Sequence, residues 1–136
     1  MRRRLLLPAA VAAVAALIAG CGGSPGDLLA LDVTGGPTGA RQHIVIRNDG
    51  LASCNGGKER DIGSPALIDA REVERDMGKL ADRAATFHAA PGATGFRSYA
   101  VRGKSGTVRW DETARGLPPV LPRAQLLALQ LGRKLC

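Results

Sequence analysis

The sequence predicts an α+β domain: a small antiparallel sheet with a central helix and a C-terminal helix packed on one face. Three observations point there. Short apolar runs of period two fill the first half of the chain and are separated by glycine turns. A single long stretch of helical period follows residue 69. A second strand pair and a closing helical stretch complete the order strands, helix, hairpin, helix, which is the pattern of helices laid on an antiparallel sheet. The chain has 136 residues, enough for one domain and too few for two.

The elements follow in order. Leu28 to Val33 reads as a first strand, with Leu29, Leu31 and Val33 on one face. Gly35-Gly36-Pro37-Thr38-Gly39 is a loop, since neither a helix nor a central strand tolerates that run. Gln42 to Arg47 is a second strand with Ile44 and Ile46 inward, and Asn48-Asp49-Gly50 turns the chain tightly into a third, Leu51 to Asn55. Gly56-Gly57 turns again, and Lys58 to Ile62 is a candidate fourth strand. Asp69 and Glu72 have capping-box spacing, so the central helix is expected to start at Asp69. Ala70, Val73, Met77, Leu80, Ala81 and Ala84 form its apolar stripe, closed by Phe87, while Gly78 costs it about 1 kcal/mol relative to alanine. Pro91-Gly92 ends that segment. Arg97 to Arg102 and Thr107 to Asp111 form a hairpin around residues 103–106, in which Tyr99, Val101, Val108 and Trp110 meet against the helix. Pro122 sits where an N1 proline would, and Arg123 to Leu135 closes the chain as a helix with Ala124, Leu127, Ala128, Leu131 and Leu135 inward. Arg133 and Lys134 suit its C-terminal dipole.

The first twenty residues have a different character. Met1-Arg2-Arg3-Arg4 is a cationic head, Leu5 to Ala19 an uncharged apolar run, and Ile18-Ala19-Gly20-Cys21 supplies small residues directly before a cysteine. That is the secretory pattern, and the apolar run is short of the ~20 residues of a spanning helix. It resembles the bacterial lipobox, whose cysteine is acylated before cleavage. The resemblance implies an exported lipoprotein held through Cys21 on the extracytoplasmic face of a membrane; the alternative is an ordinary signal peptide with an incidental cysteine. Two acyl chains suffice for stable anchoring where one is marginal. Residues 22–26 read as a flexible tether. Removing the leader leaves 116 residues and takes Lys plus Arg from 19 to 16 against 12 acidic residues, so the formal charge falls from +7 to +4. Mild basicity of that order does not single out nucleic acid as a partner. The abundant alanine, glycine and arginine fit a GC-rich genome.

Setting Cys21 aside, Cys54 and Cys136 remain, an even count in an oxidising compartment, and a disulfide between them is expected. The functional alternative is a reactive thiol or a metal pair, but no third ligand lies nearby in sequence.

Several pieces resemble the emfourin family of small protease inhibitors, in order and spacing: Leu31-Asp32-Val33-Thr34-Gly35-Gly36, the Asn48-Asp49-Gly50 turn, the helix ending near Phe87, Tyr99-Ala100-Val101, Val108-Arg109-Trp110-Asp111 and Leu117-Pro118-Pro119-Val120-Leu121. They span most of the mature chain. Emfourin inhibits thermolysin-like metalloproteases, so the resemblance implies a small sheet-and-helix fold and an exported metalloprotease as partner. The loop of Gly35, Gly36, Pro37, Thr38 and Gly39 is the candidate contact, although it lacks the bulky apolar residue expected there.

Other chemistry is sparse. His43 and His88 are the only histidines, and neither belongs to a nucleophile elbow or other catalytic motif. Asp111-Glu112 and the pair Asp76 and Asp82 read as solvated charge. No calcium loop, zinc ligand set or phosphate-binding glycine loop is present, so neither a cofactor nor enzymatic activity is expected, and the domain is expected to be monomeric. Arg97, Arg102, Lys104, Arg109 and Arg115 gather around the hairpin. They offer a patch for phosphate head groups or anionic wall polymers; the plainer reading is a charged edge that discourages strand pairing. The alternative role for the chain is therefore a non-enzymatic module that binds an envelope component.

Overall fold

The computed structural model describes residues 26–136, so the leader, Cys21 and most of the tether lie outside the described residues. The chain is α+β. Its strands are β1 (Asp27–Gly35), β2 (Ala40–Arg47), β3 (Leu51–Cys54), β4 (Arg60–Asp61), β5 (Thr86–Phe87), β6 (Arg97–Gly103) and β7 (Gly106–Asp111), and its helices are α1 (Gly63–Asp82) and α2 (Val120–Leu135). One sheet runs in the order β4-β3-β2-β1-β6-β7-β5. Every neighbouring pair is antiparallel except β5 with β7. Both sheet edges are two-residue strands, too short to template a long added strand.

The alternation read from the sequence sets the inner face. Leu29, Leu31, Val33, Ile44, Ile46, Ala52, Cys54, Tyr99, Val101, Val108 and Trp110 are buried beneath the helices. α1 covers β1, β6 and β7, while α2 lies over β1, β2 and β3 and packs along α1. Tyr99 pairs with Trp110 and Val101 with Val108 across the hairpin, as the in-register reading requires. The Tyr99 and Trp110 rings stack with centroids 5.3 Å apart. Cys54 and Cys136 form a disulfide.

Four expectations are corrected. α1 starts at Gly63, not Asp69. Asp69 lies inside the helix, and the carboxylate that meets the N-terminal backbone belongs to Asp61, which accepts from the Gly63 N–H at 2.6 Å. Ser64 and Pro65 then occupy the first turn, where proline forfeits no hydrogen bond. Pro122 is the third residue of α2, which begins at Val120 behind Pro119; its missing N–H is still one of the four that the helix leaves unpaired. Phe87 is not the end of the helical stripe but sits in edge strand β5 beside Trp110.

Ala84 also leaves the stripe. It is exposed and holds φ 48°. Its N–H bonds Ala81 O, and that of Ala85 bonds Leu80 O, both at 3.0 Å. This is the Schellman pair that ends a helix in a left-handed residue, a place glycine occupies without Cβ strain. Ala84→Gly is therefore expected to stabilise the domain by roughly 0.5–1 kcal/mol, seen as a higher denaturation midpoint at unchanged slope.

Tyr99 is 3% exposed, and its hydroxyl has no hydrogen-bond partner. Burial, reinforced by the Glu112 carboxylate, raises its phenol above the ordinary value of about 10. The unfolded chain loses this proton at pH ~10, and the folded chain loses it at higher pH. Tyr99's contribution to stability is thus fully present below pH ~10 and is lost as pH rises from there toward the folded value. Tyr99 is the single tyrosine, so tyrosinate absorbance reports it alone. The expected titration shows less phenolate at pH ~10 in the folded protein than in the unfolded chain, with the folded protein's phenolate step displaced to higher pH.

Candidate functional site

The glycine run forms the turn between β1 and β2. Gly35, Gly36 and Gly39 hold φ of 83°, 77° and 61°, conformations that suit glycine and strain other residues. The turn is fixed at both ends. Gly36 N–H donates to Phe96 O at 3.0 Å, and Gly39 N–H donates to Gly36 O at 3.2 Å. Pro37 and Thr38 are exposed at the tip, and Pro37 has its own φ locked. Gly35 lies so close to the next strand that a Cβ there would stand 2.9 Å from Phe96 O. Gly35→Ala should therefore destabilise the domain by about 1–2 kcal/mol through left-handed strain and this clash, as a thermal melt would register.

Beside this tip a groove of ≈ 380 Å³ opens between the start of β2 and the last turns of α2, and Arg97 and Arg133 line it. Arg97 is held from two sides. Its backbone N–H donates to Glu112 Oε2 at 3.0 Å and its guanidinium stands 3.5 Å from Glu112 Oε1, while its side chain lies against Gly36.

The five hairpin cations do not form one patch. Arg97 sits at the tip end of β6 with Glu112, and Lys104 stands in the hairpin turn 4.0 Å from Glu74. Arg115 is exposed in the connection to α2. Arg102 and Arg109 remain together: Arg102 pairs with Thr107 and Arg109 with Ala100, which makes them diagonal neighbours on the sheet face opposite the helices.

That uncovered face carries both histidines and Asp111. A cleft of ≈ 320 Å³ is floored by alternate residues of β1, β6 and β7, among them Asp32, Thr34, Ser98 and Arg109, and walled by Phe87 and His88. At its rim His43 Nδ1 lies 2.6 Å from Asp32 Oδ1, both side chains nearly half exposed. At the other end Asp111 Oδ1 accepts from Ser98 Oγ at 2.8 Å and Oδ2 from the Ala89 N–H at 2.8 Å, with His88 3.9 Å away. Asp111 and Glu112 are therefore structural acceptors, not solvated charges: they tie the β5–β6 connection and Arg97 to the sheet. The positions that could have signalled this cleft were the polar residues alternating with the apolar ones on β1 and β6.

Asp76 is also engaged. A hydrogen bond from Arg75, with further attraction from Arg123, lowers its carboxyl below the ordinary range. Arg123 joins Asp76 at 3.3 Å and bonds Glu72 as well, so it bridges the two helices. Asp82 is exposed at the end of α1. Among the described residues no group of three or more His, Cys, Asp or Glu side chains is arranged to hold a metal ion, and no helix is long and apolar enough to cross a membrane. No protein-family model, curated protein or solved structure matches the chain.

Proposed function

We propose that this chain is an exported, lipid-anchored binding protein without catalytic activity, which meets a protein partner end-on through the turn at residues 35–39. The emfourin resemblance makes a thermolysin-like metalloprotease the first partner to test. One observation carries the reading: the turn is both exposed and fixed, through the Gly36 bond to Phe96 O and the Gly39 bond to Gly36 O. Ordering a residue's backbone costs roughly 1–2 kcal/mol, and a loop ordered before contact avoids that cost on binding. The disulfide between β3 and the chain end adds to the same rigidity. Cys21 would supply the acyl anchor and residues 22–26 the reach between bilayer and domain.

The core lies between Leu29 and Leu131, so a chain starting at Gly22 contains it. That form, with Cys54 and Cys136 oxidised, is to be titrated against several thermolysin-like proteases. Stoichiometric loss of protease activity, with the domain left uncleaved, is the expected result. A folded, uncleaved domain that leaves every protease active at micromolar concentration contradicts the protease reading.

A second reading, an envelope-binding module, is favoured by the neighbouring Arg102 and Arg109 on the uncovered face. It requires binding to anionic vesicles that weakens with salt and disappears when both arginines are replaced by glutamine.

A further inference from the structure

The groove beside the glycine tip has a chemistry that the turn alone does not explain. Its wall combines two guanidinium groups, Arg97 from β6 and Arg133 from α2, with the Gln42 side chain and the apolar Val33, and no carboxylate lines it. Glu112 stands behind Arg97 and offsets one of the two charges. Arg133 is exposed and makes no ion pair among the described residues. The groove thus presents about one net positive charge on two planar, multiply donating heads, which match a carboxylate in shape as well as sign.

The packing of α2 bears the marks of this arrangement. Gly132 lies within the helix, where glycine costs about 1 kcal/mol relative to alanine. There the Gln42 amide fills the space a side chain would take: a Cβ on Gly132 would stand 2.6 Å from Gln42 Oε1 and 3.4 Å from Nε2, so a larger residue would displace that amide from the groove wall. The carbonyl end of α2, which would repel an anion, is offset in part by a cation from another element. Cys136 N–H closes the helix's own last i→i−4 bond onto Gly132 O at 2.9 Å, and the Arg60 guanidinium, from β4, donates to Lys134 O at 3.3 Å. Arg133 is therefore not consumed in capping its own helix by either of these bonds.

We infer that this groove is a carboxylate-binding site, in which Arg97 and Arg133 grip one carboxylate of a protein partner beside the 35–39 turn. The inference rests on the binding reading above for the kind of partner, and it names what that partner must offer: an acidic side chain or a free C-terminus. A single net positive charge suits a monoanion better than a phosphate dianion.

The test is a nuclear magnetic resonance titration of the disulfide-bonded chain starting at Gly22. The probes are acetate, a peptide with one internal acidic residue and an amidated end, a peptide with no acidic side chain and a free C-terminus, and inorganic phosphate. Saturable shifts confined to the 35–39 turn, Gln42 and the last turn of α2 are expected with acetate and with at least one peptide, and the peptide that binds identifies the source of the carboxylate. Arg133→Gln should weaken that binding about tenfold, the effect of one charge-assisted hydrogen bond. Lys134→Gln removes the adjoining charge outside the groove and should change it less than about twofold. Absence of saturable shifts, equal losses in the two variants, or phosphate binding as tight as the carboxylates overturns the site. The peptide result is independent of protease inhibition: inhibition without peptide binding removes only the carboxylate site, and peptide binding without inhibition removes only the protease.

Discussion

Replacing Cys54 and Cys136 by alanine is expected to lower the stability of this domain by about 4.5 kcal/mol. The two residues are 82 positions apart in sequence, and the chain-entropy relation gives about that value for a loop of this length. Alanine is the right replacement because Cys54 is a core residue, 8% exposed, where a serine hydroxyl would add a desolvation cost of its own. Domains of this size are stable by about 5–15 kcal/mol, so the loss is roughly 30% of the total or more. At roughly 4 °C per kcal/mol the melting temperature should fall by more than about 15 °C. The structural consequence is concentrated at the end of α2. That helix is held by Leu127 and Leu131 against the sheet, but its last turn is tied to β3 by the bond itself. Amide exchange should therefore accelerate first in that turn. A melting temperature within a few degrees of the parent would mean that packing alone fixes the chain end.

Trp110→Ala is expected to cost about 3–5 kcal/mol, the range for removing a large aromatic from a closed core. Trp110 is 1% exposed, stacks on Tyr99, and directs its indole N–H toward Gln125 Oε1 on α2 at 3.4 Å. Its removal opens space beneath both helices and unseats the Tyr99 ring, whose stacking is worth about 0.5–1.5 kcal/mol within that total. Trp110 is the only tryptophan, so circular dichroism rather than fluorescence should follow the unfolding. A loss below about 1 kcal/mol would contradict the packing described, since only a site that collapses fully escapes the cavity cost.

Much of this architecture is written in local pattern. Period-two alternation set the inner face of β1, β2, β6 and β7, because one sheet face is buried and the other is not, and a slip of one residue would expose every leucine and isoleucine on it. The ends of the helices were less legible for a physical reason. Gly63, Ser64 and Pro65 look like a loop in isolation, yet all three fit a first turn whose N–H groups need no helical partners. Asp69 and Glu72 imitate a cap because i,i+3 spacing recurs within any helix. Ala84 carries no sign that it adopts a left-handed conformation, since the Schellman bonds that impose it come from the backbone.

The candidate sites divide in the same way. The 35–39 turn was visible as a glycine cluster, and the disulfide as an even cysteine count. The groove beside the turn was not visible, because it joins Gln42, Arg97 and Arg133, which are far apart in sequence and meet only when α2 crosses the start of β2. The basic hairpin was legible as composition but not as geometry. Residues an odd number of positions apart on one strand face opposite sides of the sheet, which separates Arg97 from Arg102, and Glu74 and Glu112 reach two of the cations from other elements.

The most direct test of the central claim is an amide chemical-shift map of the disulfide-bonded domain with an equimolar thermolysin-like metalloprotease. The account predicts perturbations confined to one end of the molecule, at Gly35, Gly36, Thr38 and Gly39 and the neighbouring Arg97 and Arg133, with the Arg102 and Arg109 face unchanged. Perturbations centred on that uncovered face, or no perturbation at any residue, would contradict it.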